Sequence, residues 1–355
     1  MSFIIGADIS SLEAMEDYGA KYYDLNGEEG DVIKILASHG VNCIRLRLFN
    51  KPTESFDKGD YCDLKHTLRM AKRIKKYGLG FMLDFHYSDF WADWKQQKIP
   101  NDWENLEAFE IEKMVYEYTK YVINCFIEQE TVPDIVQIGN EIGNGMLWEF
   151  GNINNIKQLV KFINSGLKAI AEINQYSTNS KKIKTVLHIE CGADKERTKH
   201  FFSNLNSEGL WDFDYVGLSY YPYWSGTYNL LMDNIINIGN LFHKQVIVVE
   251  TAFPYTDTSN DEMQNVVTGE LTKKVMGLIP SVENQEKVLE KVIKTVKMCK
   301  NGAGVFYWEP GWYQIKGVGV ARGKGNEWEN QAVFDNNGYA GISPLYKKET
   351  ISLFT

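Results

Sequence analysis

Two glutamates each close an apolar run that leaves a carboxylate nowhere to go except a rim or a partner. Glu250 follows Val246, Ile247, Val248 and Val249, and Glu141 follows Ile135, Val136, Gln137, Ile138, Gly139 and a polar Asn140. Carboxylates are almost never buried unpaired. A lone glutamate of this kind reads as a rim salt bridge to Arg45 or a lysine. Two of them, one beside an asparagine, suit sugar chemistry. Retaining glycosidases hold two carboxyls about 5–5.5 Å apart, one attacking the sugar and one moving a proton.

Such a pair needs elements that aim both members at one space. Short β-like runs occur at 3–9, 42–49, 80–86, 135–138, 185–190, 215–220, 245–249 and 304–308. Amphipathic helical patterns separate them, at 31–39, 63–77, 103–130, 156–174, 195–206, 228–243 and 284–300, with a last short helix expected from Ser343. Asp63 and Asn284 stand where helix caps are expected, and Gly40 and Gly78 where helices stop. Eight strands alternating with helices over this length predict a (β/α)8 TIM barrel, an α/β fold, here a single catalytic domain spanning residues 1–355. The competing doubly wound sheet lacks its dinucleotide loop, since GADISS at 6–11 does not match that fingerprint.

Active sites of such barrels lie at the C-terminal strand ends. Those ends carry Asp8; Arg45 and Arg47; Asp84, His86 and Asp89; Asn140 and Glu141; His188 and Glu190; Tyr220, Tyr221 and Trp224; Glu250; and Trp308 with Glu309. Strands four and seven face one another across the mouth, so Glu141 and Glu250 can share it.

Composition narrows the partners. The 9 Trp, 20 Tyr and 18 Phe are many for core packing alone and suit flat walls for sugar rings, although composition by itself slightly favours the other reading, a well-packed large core. A net charge of -9 argues against nucleic acid and against a strongly anionic substrate. No apolar run is long enough to span a bilayer, and no basic-plus-apolar leader precedes Phe3. Cys43, Cys62, Cys125, Cys191 and Cys299 are odd in number and scattered, which predicts free thiols rather than disulfides or a metal site.

Across nearly its whole length the chain resembles glycoside hydrolase family 53, the endo-β-1,4-galactanases. The resemblance rests on GADIS (6–10), NCIRLRL (42–48), DFHYSDFWAD (84–93), QIGNEIGN (137–144), VETAFPY (249–255), GVFYWEP (304–310) and WENQAVFD (328–335). It implies a (β/α)8 hydrolase that cleaves β-1,4-galactan, including the arabinogalactan side chains of pectin, with Glu141 as acid/base and Glu250 as nucleophile. It further implies that Asn140 binds the sugar 2-hydroxyl and that Arg45 and Tyr221 donate to Glu250. Arg47 shares a strand face with Arg45, which leaves open which of them reaches the nucleophile. Trp308 is expected to floor the subsite of the reacting sugar and Trp91 a neighbouring one, with His86 and Asp89 as further substrate contacts. His86 also reads plainly as a satisfied rim histidine, and His188, Trp94, Trp148 and Trp224 read as either groove or packing.

The family usually continues WAD with a proline, where this chain has Trp94-Lys95-Gln96-Gln97. No cofactor is expected. Some bacterial relatives hold a structural calcium between the last two strand loops, but 257–261 and 335–337 lack a calcium-loop spacing. A monomer is expected, extracellular if a leader was removed and otherwise cytoplasmic. The alternatives are another β-glycanase or exo-β-galactosidase on the same barrel, a non-catalytic carbohydrate-binding barrel, and a metal-dependent hydrolase, which the lack of a histidine-rich ligand set disfavours.

Overall fold

Eight parallel strands pair only with their sequence neighbours, and the last returns to the first, closing a barrel. They are β1 (Ile4–Asp8), β2 (Cys43–Leu48), β3 (Gly80–Phe85), β4 (Ile135–Ile138), β5 (Lys184–Ile189), β6 (Tyr215–Ser219), β7 (Gln245–Thr251) and β8 (Gly302–Trp308). The computed structural model describes residues 2–24, 26–53, 60–176, 181–319 and 325–339. The helix expected from Ser343 lies outside the described residues.

The helices are α1 (Leu12–Asp17), α2 (Val32–Ser38), α3 (Leu64–Lys76), α4 (Ala108–Glu128), α5 (Ile156–Tyr176), α6 (Lys195–Ser207), α7 (Pro222–Ser225), α8 (Tyr228–Phe242), α9 (Gly269–Met276) and α10 (Val282–Met298). The (β/α)8 expectation is met, with α1, α7 and α9 as short additions in the loops. Asp63 caps α3 by accepting from His66 N at 2.7 Å. Asn284 is not a cap: Ser281 is, accepting from the Asn284 N–H at 3.1 Å, so α10 starts two residues earlier than expected. Gly40 and Gly78 follow α2 and α3 at φ +96° and +71°, backbone that L side chains rarely adopt.

The strand period of two divides the barrel interior into an apolar floor and a charged mouth. Ile4, Cys43, Met82, Ile135, Val186, Tyr215, Ile247, Val249 and Phe306 form one buried interior cluster. Gly6 makes room for it, because a Cβ there would stand 2.2 Å from the Phe306 ring. Two residues further along the same faces the chemistry changes: Cys43 gives way to Arg45 and Arg47, Met82 to Asp84, Ile135 to Gln137 and Val186 to His188, each of them buried. The opposite strand faces pack against the helices in a second, larger cluster. Among the described residues no helix is long and apolar enough to cross a membrane. All five cysteines are free, four of them buried.

Candidate active site

Arg45 stands at the centre of the mouth and is 1% exposed. Its Nη1 donates to Asp8 Oδ2 at 2.8 Å and to Glu250 Oε1 at 3.0 Å. Its Nη2 donates to Asp84 Oδ2 at 2.8 Å and to Asn140 Oδ1 at 2.9 Å. Burial opposes the guanidinium charge, but Asp84, Glu250 and Asp8 outweigh it and hold Arg45 charged. Arg47, next on the same face, turns instead to Glu309 at 2.6 Å and lays its guanidinium 4.2 Å from the Trp91 ring centre. The question between the two arginines is thereby answered: Arg45 reaches Glu250.

Glu250 is also held by Tyr221, whose hydroxyl donates to Oε2 at 3.0 Å. Burial pushes the Glu250 carboxyl up to about 7, helped by Asp8 and Asp84 and opposed by Arg45 and Tyr221. Glu141 is also raised, well above the usual carboxylate range, first by burial and then by the charge of Glu250. Five carboxyls (Asp8, Asp84, Glu141, Glu250 and Glu309) surround two guanidiniums, so proton uptake in this mouth is favourable.

Both glutamates are aimed by irregular backbone. Strict alternation from Ile247 and Val249, which point inward, would send Glu250 outward to the helices. A register shift intervenes: Leu218 pairs with Val248, but Ser219 pairs with Glu250. The extra residue re-aims the side chain, a common use of bulges beside active sites. At β4, Gly139 takes φ +76° and Glu141 itself φ 48°, a left-handed conformation costing roughly 1–3 kcal/mol. Glu309, beyond β8, shares it at φ 53°.

A cavity of about 920 Å³ covers these groups and includes Glu141, Glu250, Asn140, Tyr221, Trp91 and Trp308 in its wall. Trp308 packs edge-on against Trp328 at 4.8 Å and lies 6.1 Å from Trp91. Trp94 and Trp224, 44% and 51% exposed, extend the wall after β3 and β6. Trp148 is outside it, its indole donating to Asn144 O at 3.1 Å. The departing segment 94–97 does enter the site, because Gln97 is buried and donates to Asn140 O at 2.7 Å.

Two of the expected substrate contacts also have partners within the fold. Asp89 lies outside the cavity wall and accepts from the backbone of Lys51 and Asn101, both at 2.8 Å, so its carboxylate ties two loops together. His86 reaches the wall, but its Nδ1 accepts from Ala92 N at 3.1 Å and its Nε2 faces Asp84 at 3.1 Å. Ala92 N and Asp84 thus engage its two ring nitrogens, while the imidazole stands in the cavity wall beside Trp91.

Sequence reasoning overlooked Ser219, whose hydroxyl lies 2.7 Å from Glu141 Oε1. The two-residue step from inward Tyr215 was the available signal. Trp328 is read in the sequence only as the start of WENQAVFD, without a role, and follows no strand pattern, yet it lines the cavity. In the loops considered for calcium, Asp257 accepts from Gly269 N, Asp261 from Met263 and Asn326 N, and Asp335 from Asn337 and Tyr339 N. Backbone amides occupy these carboxylates, and among the described residues no group of three or more His, Cys, Asp or Glu could hold a metal ion.

A closed (β/α)8 barrel that gathers two buried carboxyls in one tryptophan-walled cavity is built as a glycoside hydrolase. The sequence profile of Glycosyl hydrolase family 53 matches residues 4–343, and the chain belongs to that family. An arabinogalactan endo-beta-1,4-galactanase of Cellvibrio japonicus is 36% identical over 341 residues, 94% of this chain and 86% of that protein. Arabinogalactan endo-beta-1,4-galactanase A of Aspergillus niger is 35% identical over 320 residues, 88% of this chain and 87% of that one. The GH53 catalytic domain of Ignisphaera aggregans superposes with a TM-score of 0.92 at 34% identity, covering 99% of this chain and 96% of that one.

Proposed function

We propose that the chain, residues 1–355, is one catalytic domain that hydrolyses internal β-1,4-galactosidic bonds of galactan and arabinogalactan, including pectin side chains, with retention. The relatives' names support the substrate. One structural observation supports the mechanism: Arg45 and Tyr221 both donate to Glu250 and favour its carboxylate form, while among the described residues Glu141 forms no ion pair and is raised by burial and by the charge of Glu250.

In the first step the Glu250 carboxylate attacks the anomeric carbon and Glu141 gives its proton to the departing glycosidic oxygen. In the second, Glu141, now a carboxylate, takes a proton from water as that water displaces Glu250. Asn140 is fixed by donating one Nδ2 proton to Ala92 O at 2.9 Å, which leaves the other for the sugar 2-hydroxyl. Trp308 and Trp91 offer rings to the apolar face of galactose. Every charge moved is a proton or a carboxylate lone pair, so no cofactor is needed. One chain supplies every group, so the working unit is a monomer.

Digestion of linear β-1,4-galactan tests the activity: early products should be a ladder of oligosaccharides. Galactose alone from chain ends, or faster cleavage of xylan or mannan, overturns the assignment. Proton NMR of the first product should show the β-anomer. Glu250→Gln should cost several orders of magnitude in rate, and near wild-type turnover by that folded variant refutes its role.

A further inference from the structure

We propose that His188, acting through Ser219, is a positioning residue that holds Glu141 in its proton-bearing form, so that the acid is loaded before substrate arrives. The inference rests on the reading of Glu141 as the acid/base.

Counting protons carries it. The Asn140 amide is oriented by Nδ2 donating to Ala92 O, so its Oδ1 faces Arg45 Nη2 and His188 Nδ1, both at 2.9 Å. A carbonyl oxygen only accepts, so His188 carries a proton on Nδ1. Gln137 Nε2 also lies 3.2 Å from that nitrogen, but its two protons go to Asp84 Oδ1 at 2.5 Å and Gly139 O at 3.0 Å. The Glu141 backbone N–H also points at that nitrogen, but from 3.4 Å against 2.9 Å for Asn140 Oδ1, so the shorter contact sets the tautomer. His188 is fully buried, and burial, reinforced by Arg45 and His86, keeps it neutral. Its Nε2 is therefore a bare acceptor. The neighbour of Nε2 is Ser219 Oγ, at 2.9 Å.

A serine has one proton to give. Given to His188, it leaves Ser219 Oγ as an acceptor, 2.7 Å from Glu141 Oε1. Two oxygens at that distance need a proton between them, and Glu141 must bring it. The chain then runs Glu141 to Ser219 to His188 to Asn140, donors and acceptors matched at each link. The charged groups facing Glu141 are Glu250 from β7, Glu190 after β5 and Asp93 after β3, and all three favour its protonated form, whereas a Ser219 hydroxyl donating to Glu141 would favour the ionised one, so the direction of that single hydrogen bond decides. Arg45 of β2 and His86 of β3 face His188.

When Glu141 gives its proton to the leaving oxygen, the Ser219 hydroxyl can turn to the new carboxylate. His188 Nε2 then loses its donor while buried, a state that costs free energy. Taking a proton from the attacking water lets the hydroxyl turn back. One proton leaves on the departing sugar, one returns from water, and His188 keeps its own throughout.

The test is the sign of a shift in the pH profile of kcat/KM on an aryl β-1,4-galacto-oligosaccharide. Ser219→Ala should move the alkaline limb to lower pH by about one unit, a tenfold weaker hold on the proton, and Ser219→Thr should restore it. His188→Leu, checked for folding, should move it the same way; if it does not fold, Ser219→Ala decides alone. An ordinary serine donor to a carboxylate predicts the opposite, a limb moved to higher pH. That result, or an unmoved limb with only lower kcat or Tm, overturns the proposal. Glu141→Gln separates the two readings: an alkaline limb that persists there at wild-type turnover sinks the acid/base assignment itself, whatever Ser219→Ala does.

Discussion

Tyr221→Phe isolates a single hydrogen bond to the nucleophile. The ring remains, packed edge-on against Trp224 and Trp328 at 5.6 Å each, while the donor 3.0 Å from Glu250 Oε2 is lost. Arg45 still holds Oε1. A buried hydrogen bond to a charged group contributes about 1.5–3 kcal/mol, and one pKa unit corresponds to about 1.4 kcal/mol. The lost bond favoured the ionised form, so the Glu250 carboxyl, already raised to about 7, rises by a further one to two units or so. Glu250 must be ionised to attack, so the acid limb of kcat/KM moves to higher pH by that amount. Below the limb the variant loses about tenfold to a hundredfold, and the loss shrinks as pH rises. Initial rates on galactan between pH 4 and 9 read this directly. An acid limb that stays put while the rate falls evenly at all pH would refute the electrostatic role of Tyr221, and with it the assignment of Glu250 as the ionised partner.

Trp308→Ala removes a ring from the cavity floor and should lower kcat/KM on galactan by roughly tenfold to a hundredfold, the equivalent of about 1.5–3 kcal/mol of aromatic burial; unchanged kinetics would remove it from the subsite. Asp89→Ala should lower stability by about 1–3 kcal/mol, since two backbone donors lose their acceptor, yet leave KM on galactan unchanged, and a large KM effect would restore it as a substrate contact. Phe306→Ala should cost about 3–5 kcal/mol in urea unfolding, because the ring plugs the barrel floor beneath Gly6. For Glu141→Gln the sign follows from its raised carboxyl: the folded state disfavours the ionised form, so wild-type stability falls as pH rises above 4.5, the ordinary value for glutamate. The variant escapes that loss. Its Tm should exceed wild type at pH 8 and the gap should close towards pH 4, and a constant gap would show that ionisation is not the cause.

Much of the barrel was legible because local patterns carry it. Apolar runs of four to eight residues, glycine stops after α2 and α3, and the Asp63 cap are all set by neighbours in sequence, and each appears in the fold. Polar residues at the strand ends pointed correctly to one mouth, because the chain direction of a parallel barrel fixes which rim they occupy. The same reasoning could not choose where a side chain had two plausible partners. Asp89 and His86 sit in the stretch 84–93 beside true wall residues, and only folding shows that loop amides and Asp84 take their hydrogen-bonding capacity.

The glutamates divide along that line. By itself the sequence determined that Glu141 and Glu250 end buried strands, that an asparagine precedes one of them, and that tryptophans stand nearby. Those are properties of composition and period. Only the tertiary structure decided that Glu250 faces inward at all, since alternation from Ile247 and Val249 points it at the helices and the register shift opposite Ser219 reverses it. It alone chose Arg45 over Arg47, by placing Glu309 within 2.6 Å of the latter. It alone brought Ser219 and His188 behind Glu141. A strand period specifies a face, whereas bulges and the competition among buried charges depend on contacts between residues 31 to 262 positions apart.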